Sequence, residues 1–243
     1  MNKNDHKIEA VVMAAGMGTR LGTHSNNLPK ALVEVGSKPL IGWVLEGLKL
    51  DVIKKITVVG GYQFDMLEGY LKENHPEVTI LKNENYKEGN ILSLKKAIPK
   101  IQGSFLLCNV DHIYPADLLK KFTLDVSNIK IACDQDRKLG LDDMKVLTGK
   151  EKKLGDISKK LDEFDMGYIG MTICSESKLS DYKKAVDDVI EQNGRSAVVE
   201  NVLKYMASSG DKIDICDCSG WKWYEVDTPD ELESANLALR RGV

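Results

Sequence analysis

The chain has 243 residues, of which 42% are hydrophobic and 29% are charged, and its formal net charge is -3. This composition is typical of a folded globular protein and excludes a disordered or fibrous one. The small negative charge argues against a general electrostatic attraction to nucleic acid or to anionic membranes, so any phosphate must be bound by local groups.

Apolar β-branched runs alternate along the chain with segments of helical period, a pattern typical of α/β proteins with a mostly parallel sheet. The predicted strands cover residues 8–13, 55–59, 78–81, 104–109, 129–133, 145–148, 168–174 and 212–217. The predicted helices cover residues 40–50, 63–74, 91–98, 115–122, 178–192, 197–208 and 228–240. No linker or repeat divides the chain, which predicts one domain over residues 1–243, as a monomer or a homodimer.

The sequence contains no run close to the roughly 20 apolar residues that span a bilayer. Its polar start passes directly into a strand-like run, so we expect no signal peptide, no membrane insertion and a cytoplasmic location. The five cysteines are odd in number and lie mostly in apolar runs, which predicts buried free thiols, and C-x-C at 216–218 is not zinc spacing. The charge-dense segments 134–143 and 149–160 are predicted to be solvated surface.

A glycine-rich loop, AAGMGTRLG at residues 14–22, follows the first strand. Gly16 and Gly18 allow the backbone to approach an anion closely, and successive N–H groups there can surround phosphate oxygens. The loop matches neither the dinucleotide fingerprint nor the P-loop. Arg20 lies in it and Lys30 follows ten residues later, so a planar guanidinium and a point charge can join the loop at a triphosphate.

Two aspartates occupy positions suited to a metal. Asp111 ends the apolar run LLCNVD, and the carboxyl ends of parallel strands face the ligand crevice of an α/β sheet. Asp227 precedes Thr228 and Pro229, which are typical of a helix start, so it is either a helix-entry residue or a ligand. Carboxylate oxygens are the ligands that Mg²⁺ prefers.

The run from residue 14 to residue 40, with its Arg20-to-Lys30 spacing, resembles the signature loop of the sugar-phosphate nucleotidyltransferases. The resemblance implies a three-layer Rossmann-like nucleotidyltransferase fold with a mixed, mostly parallel central sheet. It also implies that Asp111 and Asp227 hold Mg²⁺, and that Arg20, Lys30 and Lys159 are catalytic. Lys159 lies in GDISKKLDEF, which is similar to the family's I-G-K-x-L segment, whose lysine contacts the acceptor phosphate.

The family's reaction is an in-line attack by an acceptor phosphate oxygen on the α-phosphorus of a nucleoside triphosphate, with pyrophosphate leaving. The nucleophile is already an anion, so no general base is needed. The nucleotide-binding residues that the resemblance implies are Ala14, Ala15, Gly16, Gly18, Thr19, Asn83, Gly89, Asn90 and Ser93.

The stretch NENYKEGNILSL at residues 83–94 lies where this family reads the base. Asn83, Asn90 and Ser93 offer amide and hydroxyl groups suited to the edge of cytosine. In the alternative interpretation, Asn90 and Ser93 cap the helix that begins near residue 91. The pattern G-N-x-x-S-L is nearer to the cytidylyltransferases than to the thymidylyl or guanylyl branches, which favours CTP.

The sequence DHIY at residues 111–114 resembles the D-H-x-Y of inositol-1-phosphate cytidylyltransferases. His112 is then either a donor to the acceptor or a residue that orients its neighbours. Tyr168 stands where many relatives have Asp. We therefore expect His112, Lys159 and Tyr168 to bind the acceptor, and the predicted reaction is Mg²⁺-dependent CMP transfer from CTP to a phosphorylated polyol such as inositol 1-phosphate.

Three other functions fit the sequence less well. A phosphocholine cytidylyltransferase needs an aromatic or acidic cage, for which Tyr168, Trp221, Trp223 and Tyr224 are candidates, although such a run on a strand is also typical of a core. A hexose-1-phosphate nucleotidyltransferase is the next alternative. The third alternative is a non-catalytic nucleotide sensor. The presence of both aspartates, Asp111 and Asp227, argues against it, as does the presence of Arg20 and Lys30.

Overall fold

The computed structural model describes residues 7–25 and 27–240. The strands are β1 (Ile8–Ala14), β2 (Glu34–Val35), β3 (Lys38–Pro39), β4 (Ile53–Gly60), β5 (Thr79–Lys82), β6 (Ser104–Asn109), β7 (His112–Ile113), β8 (Lys130–Asp134), β9 (Lys145–Thr148), β10 (Leu154–Ser158), β11 (Met166–Cys174), β12 (Asp214–Asp217) and β13 (Tyr224–Glu225). The helices are α1 (Leu40–Gly47), α2 (Phe64–Asn74), α3 (Ile91–Ala97), α4 (Ala116–Thr123), α5 (Leu179–Asn193), α6 (Glu200–Ser208) and α7 (Pro229–Arg240).

Nine strands form the central sheet, whose main path is β10-β9-β11-β6-β1-β4-β5, with β8 joining β11 to β12. Strand β1 pairs in parallel with β4 and β6, β4 with β5, and β8 with β12. Strand β11 is antiparallel to β6, β8 and β9. The predicted α/β class with a mixed sheet is confirmed.

Side chains alternate across the sheet and bury two separate apolar clusters, one on each face. Val11 and Met13 of β1 pack on the face covered by α3, α5 and α6. Ala10 and Val12 pack on the opposite face, which α1, α2 and α4 cover. This arrangement gives the three layers that were predicted. A smaller cluster joins α7 to the loop that follows β1.

The eight predicted strands and seven predicted helices are confirmed, with ends that differ by a few residues. The prediction for segment 149–160 is wrong in part, because β10 lies there and pairs with β9. Leu154 and Ile157 are its buried residues, and a register irregularity follows Leu154, so the apolar positions do not alternate regularly. The prediction of one domain over residues 1–243 stays a prediction, and residues 1–6, 26 and 241–243 lie outside the described part.

All five cysteines are free, and four of them are buried, as predicted. Cys216 is half-buried, and its sulfur lies 4.0 Å from that of Cys218, on the same face of the strand end. Within residues 7–25 and 27–240, no helix combines the length and the apolar character needed to cross a membrane.

Candidate active site

Two cavities meet where β1 and β6 end, at the carboxyl edge of the parallel part of the sheet. The smaller has a volume of about 180 Å³ and the larger about 500 Å³. Asn90, Asn109 and Asp111 line both. A ligand in one cavity therefore lies next to a ligand in the other, and Asp111 marks the junction.

The glycine-rich loop forms one wall of the smaller cavity through Ala15 and Gly16. Gly18 has a φ of +67°, and a Cβ there would lie 3.2 Å from Cβ of Lys30, so glycine at this position lets the loop pass close to Lys30. The backbone N–H of Lys30 donates to the carbonyl of Gly16 at 3.4 Å. Ala14 is buried at the end of β1 and Thr19 is exposed, and neither is among the residues lining the two cavities.

The fold joins Lys30 to both predicted metal ligands, although Asp111 and Asp227 are far apart in sequence. The Lys30 ammonium group donates to Asp111 at 2.5 Å and also to Asp227. Arg20 donates to Asp227 and lies 3.8 Å from Asp142. Lys30 is only 6% exposed, so its ion pairs with Asp111 and Asp227 lie largely out of solvent, whereas those of Arg20 are exposed. The four predicted residues Arg20, Lys30, Asp111 and Asp227 thus form one cluster.

Burial by itself would raise the pKa of Asp111, but the charges of Lys30 and His112 hold that pKa well below its usual value. Asp111 is therefore an anion at neutral pH.

The side chain of Asp227 is not needed to cap α7, because Glu231 and Thr228 supply the helix cap. Its carboxylate is therefore free to bind cations. The N–H groups of Asp227 and Thr228 donate to Glu231, and the N–H of Glu231 donates to the Thr228 hydroxyl at 3.3 Å, which is a capping box.

The donor set fits Mg²⁺. Asp111 and Asp227 both present carboxylate oxygens to one cation, the Lys30 ammonium group, so the two side chains converge on a single position. Among the residues that the structure describes, no three His, Cys, Asp or Glu side chains form a complete metal-binding group. Mg²⁺ commonly takes one or two protein carboxylates and completes its shell with water and substrate phosphates.

The predicted base-reading residues divide into two groups. Asn83 is 1% exposed and donates to the hydroxyl of Ser93 at 2.9 Å, so it positions Ser93 rather than facing the cavity. Ser93 and Asn90 line the smaller cavity. Asn90 occupies the N-cap position of α3, as the alternative requires, but its side chain forms no capping hydrogen bond there. Asn90 instead accepts a hydrogen bond from Val199 at the start of α6.

Gly89 has a structural role beside that pair. Its N–H donates to the carbonyl of Arg195 at 2.9 Å, and a Cβ at Gly89 would lie 1.9 Å from the carbonyl oxygen of Ala197. Only glycine allows the two backbones to approach this closely. Gly89 therefore holds the stretch before α3 against the segment that leads into α6.

His112, Lys159 and Tyr168 all line the larger cavity, as the acceptor prediction requires. His112 is also an orienting residue, since its Nδ1 lies 2.6 Å from Asp111. Burial opposes its protonation, but Asp111 and Glu225 raise the pKa of the imidazole overall. The hydroxyl of Tyr168 lies 2.8 Å from that of Thr172, and burial raises the pKa of Tyr168 well above its usual value.

The C-terminal aromatic run packs in the protein and forms no cage. Trp223 stacks on His112 with ring centres 5.3 Å apart, and the Arg137 guanidinium lies over the Trp223 ring, 4.3 Å from its centre. Its Nε1 donates to Asp134 at 2.9 Å. Trp221 packs against one core cluster, and Tyr224 lines a separate cavity of about 210 Å³. Trp223 is buried, in agreement with the core interpretation, while Trp221 and Tyr224 are half-buried.

Sequence reasoning missed several residues of the larger cavity. Segment 134–143 was predicted to be solvated surface, yet Arg137, Asp142 and Asp143 line the cavity and Asp134 is 1% exposed. Glu200, the first residue of α6, also lines it. The sequence carries a signal for none of them, since a charge-rich loop and an acidic residue in the first turn of a helix are ordinary surface features.

The MobA-like NTP transferase domain model matches residues 10–139. The bifunctional IPC transferase and DIPP synthase of Aquifex aeolicus is 26% identical over 239 residues, which is 95% of this chain and 51% of that protein. The CTP:phosphoglutamine cytidylyltransferase of Campylobacter jejuni is 26% identical over 251 residues, covering 93% of this chain and 98% of that protein. The chain spans about half the length of the bifunctional relatives it matches.

The fold has solved counterparts. The inositol-1-phosphate CTP transferase from T. maritima superposes with a TM-score of 0.80 at 21% identity, and the match covers 99% of each chain. At that identity the likeness concerns the fold alone, which is that of the Rossmann-like nucleotidyltransferases. Because the family model covers more than half of the chain, the protein belongs to the family of MobA-like NTP transferase domains, and within it the chain resembles the inositol-1-phosphate cytidylyltransferases.

Proposed function

We propose that this chain transfers CMP from CTP to the phosphate of a small phosphorylated polyol, with inositol 1-phosphate as the first choice. The products are CDP-inositol and pyrophosphate. The observation that carries the proposal is the junction of two cavities at Asp111, with Lys30 on the side of the glycine-rich loop and Lys159 on the other side. A transfer between two phosphate-bearing substrates requires such a pair of adjoining sites.

In the proposed reaction, the glycine-rich loop and Ser93 bind the nucleotide in the smaller cavity. Lys30 and Arg20 lie at the carboxylate cluster and stabilise the negative charge that develops at the α-phosphate, and a well-placed cation contributes about 3 kcal/mol to such a step. Lys159 neutralises and orients the acceptor phosphate in the larger cavity. The attacking phosphate oxygen is already an anion, so none of these residues has to remove a proton.

Asp111 and Asp227 would hold Mg²⁺ in this proposal. When bound, Mg²⁺ supplies additional neutralisation of the triphosphate and of the leaving pyrophosphate. Asp111 is oriented for that role by Lys30 and by the Nδ1 atom of His112. Asp227 is held by Arg20 and Lys30. The protein therefore keeps both carboxylates in place through its own cations.

The test is pyrophosphate release by the purified chain with CTP, UTP, GTP, ATP or dTTP, each combined with inositol 1-phosphate, phosphocholine or glucose 1-phosphate in the presence of Mg²⁺. Release only with CTP and inositol 1-phosphate supports the proposal in full. Release with phosphocholine or glucose 1-phosphate contradicts the acceptor. No release with any pair, together with saturable binding of CTP, favours a nucleotide sensor.

A further inference from the structure

Glu200 differs from the other carboxylates of the larger cavity. Each of the others is engaged by a cation or by backbone N–H groups: Asp111, Asp142, Asp143, Glu225, Asp227 and Glu231. Within the described residues, Glu200 alone of this set forms no ion pair or hydrogen bond with another residue. It is 7% exposed and lines the cavity, and the one hydrogen bond that its carboxylate accepts comes from its own backbone N–H, so it retains acceptor capacity toward the space that the acceptor would occupy.

The backbone at Glu200 is fixed. Asn90 accepts a hydrogen bond from the N–H of Val199 at 2.9 Å, and Asn201 accepts one from Val198 at 2.9 Å. The carbonyl of Ala197 accepts from Ile91 at 3.4 Å. The first turn of α6 is thus attached to the wall of the nucleotide cavity. A carboxylate on such a fixed turn is preorganised for a ligand and loses little freedom on binding it.

The surroundings of Glu200 indicate which kind of ligand group it binds. Burial raises the pKa of this carboxyl, and the positive charges of Lys159 and His112 act in the opposite direction. Lys159 lines the same cavity, so a ligand ammonium group beside Glu200 would also face this cation. Neutral hydroxyl groups meet no such repulsion, and one carboxylate can accept hydrogen bonds from two adjacent hydroxyls.

We infer that Glu200 is the acceptor-specificity residue, whose carboxylate accepts hydrogen bonds from hydroxyl groups on the polyol part of the acceptor. This inference rests on the proposed function. Glu200 acts on the end of the acceptor that carries no phosphate, while Lys159 acts on the phosphate. The pairing of Glu200 with hydroxyls makes the cavity reject an alcohol phosphate that lacks them, because the buried carboxylate is then left without partners.

The experiment compares two acceptors with the wild-type chain and with Glu200→Gln. The acceptors are inositol 1-phosphate and cyclohexyl phosphate, which has a ring and a phosphate but no hydroxyls. In the wild type we expect kcat/KM for inositol 1-phosphate to exceed that for cyclohexyl phosphate by roughly 100-fold or more. In Glu200→Gln this ratio is expected to fall by about 10-fold, through KM for inositol 1-phosphate, with KM for CTP unchanged.

Asp117→Asn is the matched control, since Asp117 is also an acidic residue in the first turn of a helix but lies on the exposed side of α4. It should keep the wild-type ratio. A misfolded Glu200→Gln chain would lose activity with both acceptors and would also show an altered KM for CTP. An unchanged acceptor ratio together with an unchanged KM for CTP therefore overturns the inference. A wild type that is active with phosphocholine and not with inositol 1-phosphate also overturns it. A wild type inactive with every acceptor refutes the proposed function itself.

Discussion

The side-chain oxygen of Asn90 accepts a hydrogen bond from the backbone N–H of Val199, at 2.9 Å and 109 residues further along the chain. Asn90 lines both cavities, and Val199 is the residue immediately before Glu200. One amide group therefore joins the wall of the proposed nucleotide site to the helix that carries the proposed acceptor-specificity residue. The two sites share a structural element as well as a boundary.

Replacing Asn90 with Ala should impair both sites. The start of α6 loses one acceptor, which costs about 1 kcal/mol of folding free energy. We also expect KM to rise for CTP and for the acceptor, because Asn90 faces both cavities. Steady-state kinetics and thermal unfolding provide the measurements.

Asn201→Ala is the control for that variant. Asn201 accepts a hydrogen bond in the same turn, from Val198, and is not among the residues that line either cavity. It should lower stability by a similar amount while KM for CTP stays at the wild-type value. If Asn90→Ala and Asn201→Ala have the same kinetic parameters, Asn90 acts as a helix cap alone.

Replacing Lys30 with Met removes the ammonium group that contacts Asp111 and Asp227. Two half-buried carboxylates then lose a shared partner, and breaking a largely desolvated ion pair in this way costs up to about 3 kcal/mol. Pyrophosphate release should fall by roughly 100-fold or more, since a cation at the reacting phosphate is also lost. Denaturant unfolding and the release assay measure the two effects. A Lys30→Met chain that keeps wild-type turnover would contradict the catalytic role of Lys30.

Asp227→Ala should remove most of the turnover and leave the fold intact. The capping box that starts α7 uses Thr228 and Glu231, so the helix does not depend on the side chain of Asp227. The expected loss of pyrophosphate release is roughly 100-fold or more, as for removal of a metal ligand. Asp230→Asn is the control, because Asp230 is exposed in the same turn. Undiminished release by Asp227→Ala would refute the metal assignment.

The fold could be read from the sequence because its central strands are continuous apolar runs. All nine residues of β11 are buried, and such a run bounded by polar segments is distinct from a helix in length and in its β-branched content. Strand β10 was missed because its five residues include two charged or polar positions and a register irregularity, so Leu154 and Ile157 show no regular alternation.

The cluster of Arg20, Lys30, Asp111 and Asp227 could also be predicted, since each residue sits in a motif with recognisable spacing. The acceptor side could be predicted only in part. Its walls come from segment 134–143 and from the start of α6, where side chains reach the cavity because of long-range packing, such as the contact of Arg137 with Trp223. No local pattern encodes a contact of that kind.

Trp223→Phe tests the packing beneath the larger cavity. Phenylalanine keeps an aromatic ring that can contact His112 and Arg137 but removes the N–H that donates to Asp134. The other oxygen of Asp134 has no hydrogen-bond partner and only an ion pair with Arg137 at 3.6 Å, so the variant leaves this buried carboxyl without a hydrogen bond. We expect a loss of about 1–3 kcal/mol in unfolding free energy by denaturant titration. A Phe variant as stable as the wild type would show that the stacking alone fixes Trp223.

Glu200→Gln should stabilise the protein at neutral pH while it weakens acceptor binding. Burial raises the pKa of Glu200 above its usual value of 4.5. The folded state then holds this proton more tightly than the unfolded chain does, so stability is lost as pH rises through the raised pKa. Glutamine carries no charge and avoids that loss.

The melting temperature of Glu200→Gln should therefore exceed that of the wild type at about pH 8, and the difference should shrink as pH falls toward about 5. Asp117→Asn, which removes an exposed first-turn carboxyl, should show no such gain. Thermal unfolding of the three chains across this pH range gives the comparison. The prediction is contradicted if the melting temperatures of the wild type and of Glu200→Gln differ by the same amount at every pH. Glu200 would then be ionised at no cost in the folded protein, because Lys159 and His112 compensate its charge before any acceptor binds.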